Sequence, residues 1–232
     1  MATGVFRHEL KYLINAVQRE LLHKRLRGLI SPDAHAGEDE AYHIRSLYFD
    51  NYNNEALNDK LIGAPDRSKF RIRVYGFSDR RITLERKDKV KNVTQKHSAP
   101  LTAAQCAELV AGRPLEVSGD LPPLVNQLGL LMRMEGMRPV QLVDYVRTPL
   151  IYEAGNVRIT FDSRLSAPIP GDFNLFDAEL PSVPILSRGT AILEVKFDGF
   201  LPDFIMNCLQ MEGVTPQALS KYDMCRRPFL VI

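Results

Sequence analysis

The sequence predicts an α+β fold built on a largely antiparallel sheet. Three observations lead there. Extended segments outnumber helical ones, the two do not alternate regularly as in a parallel βαβ chain, and most strands divide into an apolar and a charged face. In chain order, Val5–Ile14, Tyr42–Asp50, Ser68–Gly76, Arg81–Asp88, Asn92–Ser98, Val140–Thr148, Val157–Asp162 and Ala191–Asp198 are rich in β-branched and aromatic residues or alternate in polarity. Asn15 can cap a helix running to about Leu29, with Val17, Leu21, Leu22, Leu26 and Leu29 as its apolar stripe. Thr102 opens a second helix, Ala103–Ala111, which Gly112 and Pro114 stop. Pro122 and Pro123 precede a third, Leu124–Met134, and a fourth covers Asp203–Met211. Leu165–Arg188, with Pro168, Pro170, Pro181 and Pro184, reads as a long irregular connection, and Asp88–Lys91 as a turn between strands.

The chain has 232 residues, 45% hydrophobic and 25% charged, which excludes disorder as the main state. With no internal repeat or linker-like shift in composition, residues 1–232 read as a single domain. The 30 basic and 28 acidic residues leave a net charge of +2, which argues against a broadly basic nucleic-acid-binding surface. No apolar run reaches bilayer-spanning length, and the N-terminus has no basic-then-apolar leader. Cys106, Cys208 and Cys225 have no metal-type spacing and read as packing residues in a reducing compartment, so a cytoplasmic location is expected.

Splitting the strands by alternation places like chemistry together. Arg7, Glu9 and Lys11 oppose His8, Leu10 and Tyr12; Lys69, Arg71 and Arg73 oppose Phe70, Ile72 and Val74. Thr83, Glu85 and Lys87 oppose Ile82, Leu84 and Arg86; Arg158, Thr160 and Asp162 oppose Val157, Ile159 and Phe161; Glu194, Lys196 and Asp198 oppose Leu193, Val195 and Phe197. Each strand alone is compatible with a solvated outer face. Jointly, arginine and lysine recur at i, i+2 with only occasional carboxylates. Helices covering the apolar side would leave a charged side able to close around a polar lumen. A polyanion with a divalent metal would balance such charges. The basic residues with interleaved aromatics, such as Lys69-Phe70-Arg71, fall on opposite faces and form no base-stacking platform. No glycine-rich phosphate loop occurs, so nucleotide binding would depend on side chains. The five histidines lack ligand spacing, and His97 reads as an ordinary strand residue.

Arg7-His8-Glu9-Leu10-Lys11-Tyr12, Ile44-Arg45-Ser46-Leu47-Tyr48-Phe49-Asp50-Asn51, Lys69-Phe70-Arg71-Ile72-Arg73-Val74-Tyr75-Gly76 and Leu84-Glu85-Arg86-Lys87 resemble, in order, the vacuolar transporter chaperone (VTC) polyphosphate polymerase domain. Tyr145-Val146-Arg147, Val157-Arg158-Ile159-Thr160-Phe161-Asp162, Ile192-Leu193-Glu194-Val195-Lys196 and Ser220-Lys221-Tyr222 continue the resemblance, so it runs from Phe6 to Lys221. That family belongs to the triphosphate tunnel metalloenzymes. The resemblance implies an eight-stranded antiparallel barrel, with helices outside, enclosing a charged tunnel. It implies that Arg71, Arg73, Lys87, Lys96, Arg147 and Arg158 grip phosphoryl oxygens, that Lys11, Arg45 and Lys196 extend that shell, and that Lys221 closes the site from the C-terminal part. Glu194 resembles the carboxylate for Mn²⁺ or Mg²⁺; Glu9, Glu85 and Asp162 are further metal candidates or charge partners of their basic neighbours. The implied activity is polyphosphate synthesis from ATP. A tripolyphosphatase or nucleoside triphosphatase and a noncatalytic polyphosphate or nucleotide sensor are the alternatives.

One departure matters. The wider superfamily begins with Glu-x-Glu-x-Lys, whereas Arg7 stands at the first glutamate position here, which favours the polymerase-like branch over a two-metal hydrolase. The phosphate-sensing domain and membrane segments of the eukaryotic relatives are not expected in this chain.

Overall fold

The computed structural model describes residues 7–37, 39–90, 93–171 and 173–230. Its strands are β1 (Arg7–Ile14), β2 (Ser31–Pro32), β3 (Tyr42–Asp50), β4 (Asp66–Tyr75), β5 (Ser78–Val90), β6 (Val93–Leu101), β7 (Arg138–Tyr152), β8 (Val157–Pro168), β9 (Ser182–Pro184) and β10 (Ala191–Asp198). The helices are α1 (Ala16–Arg27), α2 (Glu55–Leu61), α3 (Ala103–Val110), α4 (Pro123–Met134), α5 (Asp203–Leu209) and α6 (Lys221–Arg226). Eight strands follow one path, β1-β10-β8-β7-β3-β4-β5-β6, with β2 on β7 and β9 on β8. The α+β class and its antiparallel sheet are therefore as expected.

Two compact units can be distinguished, each made of three segments. The first is Met1–His43, Tyr145–Leu165 and Pro184–Ser220; the second is Ile44–Asp144, Ser166–Val183 and Lys221–Ile232. In the first, β10 lies between β1 and β8, both antiparallel, with Leu10 opposite Val195 and Val195 opposite Ile159. That row lies on the apolar side, where Ile14, Leu22, Leu26, Leu193, Ile205 and Leu209 form one buried core. Helix α1 is closed at its start by a reciprocal capping box between Asn15 and Gln18. It ends at Gly28, before Leu29, and only Leu22 and Leu26 of its expected stripe are buried; Val17, Leu21 and Leu29 are exposed. The buried stripe is narrower than expected because Leu22 and Leu26 are i, i+4 neighbours, whereas Val17 and Leu21 line up on another face.

In the second unit β3, β4, β5 and β6 pair successively as antiparallel neighbours. Leu47, Phe70, Ile72 and Leu84 join Cys106 and Leu109 of α3 and Val125 and Leu128 of α4 in a second core. Thr102 and Gln105 form the capping box expected for α3. The β4–β5 hairpin turns through Gly76 and Phe77 at φ 58° and 57°. Both central residues of a two-residue hairpin turn of this hand need positive φ, which glycine supplies freely and Phe77 does not.

Several boundaries differ from those expected. Asp88 and Lys89 are not in a turn: they pair with Gln95 and Thr94, so β5 and β6 extend as a long ribbon. Strand β8 continues to Pro168, and β9 adds to it, so part of the Leu165–Arg188 connection is strand. Val5, Phe6, Glu38, Lys91 and Asn92 lie outside the described residues. Helix α2 was not legible because Asn54, at its start, is in the left-handed region and supplies no side-chain cap. Asp50 does so instead, accepting from the backbone nitrogens of Ala56 (2.9 Å) and Leu57 (3.1 Å).

Candidate functional site

Turning Leu10, Val195 and Ile159 into the core of the first unit forces their sequence neighbours to the other side of the same strands. The register sets Lys11 opposite Glu194 and Glu9 opposite Lys196, then Glu194 opposite Thr160 and Lys196 opposite Arg158. The side chains interlock accordingly. The Lys11 ammonium is 3.6 Å from Glu9 and 3.6 Å from Glu194, and the Lys196 ammonium is 3.4 Å and 3.3 Å from the same two carboxylates. Arg147, from β7, grips both Asp162 oxygens at 2.7 Å and reaches Glu194 at 3.4 Å. Burial alone would push the Arg147 pKa down, but Asp162, Tyr145 and Glu194 outweigh it and raise it well above the ordinary arginine value. Arg158 donates through Nη2 to Asp33 (2.8 Å) and to the Tyr42 hydroxyl (3.1 Å). The structure thus brings Glu9, Lys11, Arg147, Arg158, Asp162, Glu194 and Lys196 together on one polar face. Asp33, buried and salt-bridged to Arg158, had no signal in the sequence because its partner is 125 positions away.

The second unit repeats the logic with a different balance. Arg71 faces Glu85 across β4 and β5 and donates to it through Nε at 2.7 Å, while its Nη1 donates to the Tyr48 hydroxyl at 2.9 Å. Arg73 lies opposite Ser46 and 3.8 Å from Glu85, whose other oxygen meets Lys96. Glu85 is 3% exposed, and burial would raise its pKa; the guanidiniums of Arg71 and Arg73 and the Lys96 ammonium win and hold it well below the usual carboxylate range. Its oxygens are engaged by three cations. Beside this row runs another. Lys69 stands opposite Lys87, and Lys87 opposite Lys96. Like charges directly across a ladder repel.

Alternation places Lys69 on the charged face without marking it as a site residue. Its ammonium lies 5.0 Å from the centre of the Tyr222 ring and forms no ion pair among the described residues. Tyr222 in turn stacks on Tyr48 at 4.8 Å and donates its hydroxyl to Asp50 at 2.7 Å. Burial, then the neighbouring Lys60 and Arg67, lower the Lys69 pKa to about 8. A folded-state lysine pKa below its unfolded value favours the neutral form, so its charged form costs stability below about pH 8, and stability rises as pH climbs towards the unfolded value of 10.5. In ¹³C NMR of the reductively methylated protein one lysine should titrate near pH 8 and vanish in Lys69→Met. A full set titrating near the ordinary lysine value of 10.5 would contradict this.

One expected residue stands apart from these rows. Arg45 lies opposite Val74, on the side of the second core, and pairs with Asp144. Lys221 opens α6 next to Tyr222. His97 lies across from Arg86, on the other side of β6 from Lys96, and is 3.4 Å from Asp88. A cavity of about 920 Å³ in the first unit is lined by Leu10, Tyr12, Phe197, Met206 and others on the apolar side, away from Glu194. Among the described residues no cluster of three or more histidine, cysteine or acidic side chains could by itself hold a metal ion, and no helix is long and apolar enough to cross a membrane.

Several solved structures resemble the chain at low identity. A candidate adenylate cyclase from Bacillus halodurans is 15% identical with a TM-score of 0.47, the match covering 88% of this chain and 86% of that one. A protein from Pyrococcus horikoshii is 14% identical with a TM-score of 0.47, covering 91% and 96%; one from Pyrococcus furiosus is 12% identical with a TM-score of 0.46 and the same coverage. No curated protein matches the sequence significantly. The VTC domain model, in contrast, matches residues 6–229 continuously, and the chain belongs to the VTC-domain family.

Proposed function

We propose that the chain carries out metal-dependent phosphoryl transfer on polyphosphate, and specifically that it extends inorganic polyphosphate with the terminal phosphoryl group of ATP. The observation that carries the reading is the face of β4, β5 and β6. Lys69, Arg71, Arg73, Lys87 and Lys96 share that face, where Glu85 pairs with Arg71, Arg73 and Lys96 and lysine is placed against lysine. A chain of phosphates offers close-set anionic oxygens of the kind that guanidinium forks and ammonium groups engage. Taken by itself, the first unit offers Lys11, Lys196 and Arg147 as groups that would bind phosphoryl oxygens.

The family resemblance implies Mn²⁺ or Mg²⁺. The donor set fits a cation bound partly by substrate: Glu194 contacts its cationic neighbours at 3.3–3.6 Å, and no all-protein cage is formed among the described residues. Small divalent ions commonly use one or two carboxylates plus phosphate oxygens. Glu194 would hold the ion, with Glu9 as the neighbouring carboxylate, while Asp162 and Glu85 serve as charge partners of Arg147 and Arg71. When bound, the cation would offset charge on the phosphoryl oxygens. The acceptor phosphate is already anionic at neutral pH, so no side chain need act as general base. The protein's task is to hold two polyanions close and in line, which fixed guanidinium and ammonium groups accomplish electrostatically. Lys221, at the start of α6, would supply a further ammonium.

Incubation of the purified chain with ATP and Mn²⁺ should yield ADP and a ladder of polyphosphate on a urea gel. Orthophosphate without chain growth would select the triphosphatase reading. Tight tripolyphosphate binding without turnover, unchanged in Glu194→Gln, would select a sensor. Neither binding nor turnover would end the proposal.

A further inference from the structure

Thr160 is assigned no role by the rows of charge around it, yet it occupies their centre in the first unit. It lies directly opposite Glu194, and Arg158 and Asp162 flank it on the same strand and the same face. The residue is 2% exposed, and its hydroxyl is buried without a hydrogen-bond partner. Directly opposite side chains in a sheet are close enough to interact, but the Glu194 carboxylate turns instead to Lys11, Lys196 and Arg147. The Arg158 Nε, two residues away, is likewise buried and without a partner. Valine would fill the same volume with the same branched shape and no polar penalty, so packing does not explain a threonine here. Buried polar atoms without partners are uncommon in native proteins, and two on one strand face call for an explanation.

We infer that the Thr160 hydroxyl is a binding group, donating to a phosphoryl oxygen of a tri- or polyphosphate seated beside Glu194. A hydroxyl is suited to that place. It offers a donor hydrogen that rotates to its acceptor, and it adds no charge to a face already crowded with charges of both signs. The lysines and Arg147 neutralise the anion; the hydroxyl fixes which oxygen stands next to the carboxylate. The inference rests on the phosphoryl-transfer reading of this face.

The test compares wild type, Thr160→Val and Thr160→Ser as full-length chains, with sodium tripolyphosphate as probe, by calorimetry and thermal melting. Without ligand, the valine variant should melt about 2–4 °C higher, because the buried hydroxyl is gone. Its tripolyphosphate Kd should weaken about 10- to 100-fold, the loss of a hydrogen bond to a charged group. The serine variant, which keeps the hydroxyl, should bind within about threefold of wild type. Wild-type binding with an unchanged Kd in the valine variant overturns the role of Thr160 alone. A valine variant that melts lower or does not fold also overturns it, since the hydroxyl would then serve the unliganded fold. A wild type that binds no tripolyphosphate defeats the phosphoryl-transfer reading itself.

Discussion

Arg45→Met should cost about 3–5 kcal/mol of folding stability. At this chain length that corresponds to about 6–20 °C in Tm. The guanidinium is 1% exposed, and its Nε and Nη2 donate to the two Asp144 oxygens at 2.8 and 2.7 Å. Its Nη1 donates to the backbone carbonyls of Asn174 (3.0 Å) and Asp177, fastening residues 174–177 to β3. The ring of Phe77, held at a positive φ, lies 4.6 Å from the guanidinium. Methionine fills much of the volume but leaves Asp144, itself 5% exposed, as a buried carboxylate without its counter-ion. The cost comes from that stranded charge more than from the lost attraction, so Arg45→Met/Asp144→Leu should recover most of the stability. Tripolyphosphate affinity measured well below the melting temperature should stay within about threefold of wild type, because Arg45 shares the side of Val74 and not that of Arg73. Unchanged melting together with lost affinity would place Arg45 among the ligand-binding groups after all.

Arg45 also illustrates what alternation can and cannot reveal. In Ile44-Arg45-Ser46-Leu47-Tyr48-Phe49, residues 45, 47 and 49 share one side of the strand, so the arginine sits with Leu47 and Phe49. That was legible from period two alone, and only the family resemblance drew Arg45 towards the phosphate-binding shell. The polar faces themselves were legible for the same reason: Glu9 with Lys11, Arg71 with Arg73, and Glu194 with Lys196 are i, i+2 pairs whose neighbours must enter a core. Register was not legible. Whether Lys87 meets a carboxylate or another lysine depends on how β4, β5 and β6 slide against one another, and nothing within one strand encodes that offset. Partners distant in sequence were equally hidden. Lys69 and Tyr222, Tyr222 and Asp50, and Arg158 and Asp33 each join segments more than a hundred residues apart. Helix α2 was missed because its cap, Asp50, is the last residue of the preceding strand.

Glu194→Gln is expected to reduce ATP-dependent polyphosphate formation by about 10²- to 10³-fold, the rate equivalent of the few kcal/mol that a correctly held divalent ion supplies. Glutamine keeps the shape and removes the charge. Lys11, Lys196 and Arg147 all lie within 3.3–3.6 Å of this carboxylate, so its loss leaves three cations sharing Glu9 and Asp162. Two consequences separate its role from simple charge balance. First, the surplus positive charge should tighten binding of metal-free tripolyphosphate while turnover falls, because the attraction for the anion grows as the hold on the cation is lost. Second, raising Mn²⁺ should restore part of the activity of Glu194→Gln but none of that of Arg147→Met, since Arg147 is proposed to bind phosphoryl oxygen directly. Arg147→Met should also be the less stable of the two, because it strands Asp162, which is 0% exposed, without its bidentate partner. Steady-state rates over a Mn²⁺ series, with tripolyphosphate calorimetry in chelator, measure both consequences. Wild-type turnover in Glu194→Gln at every metal concentration would remove the carboxylate from the mechanism. Equal losses of turnover and anion affinity would make Glu194 a partner of the lysines and nothing more.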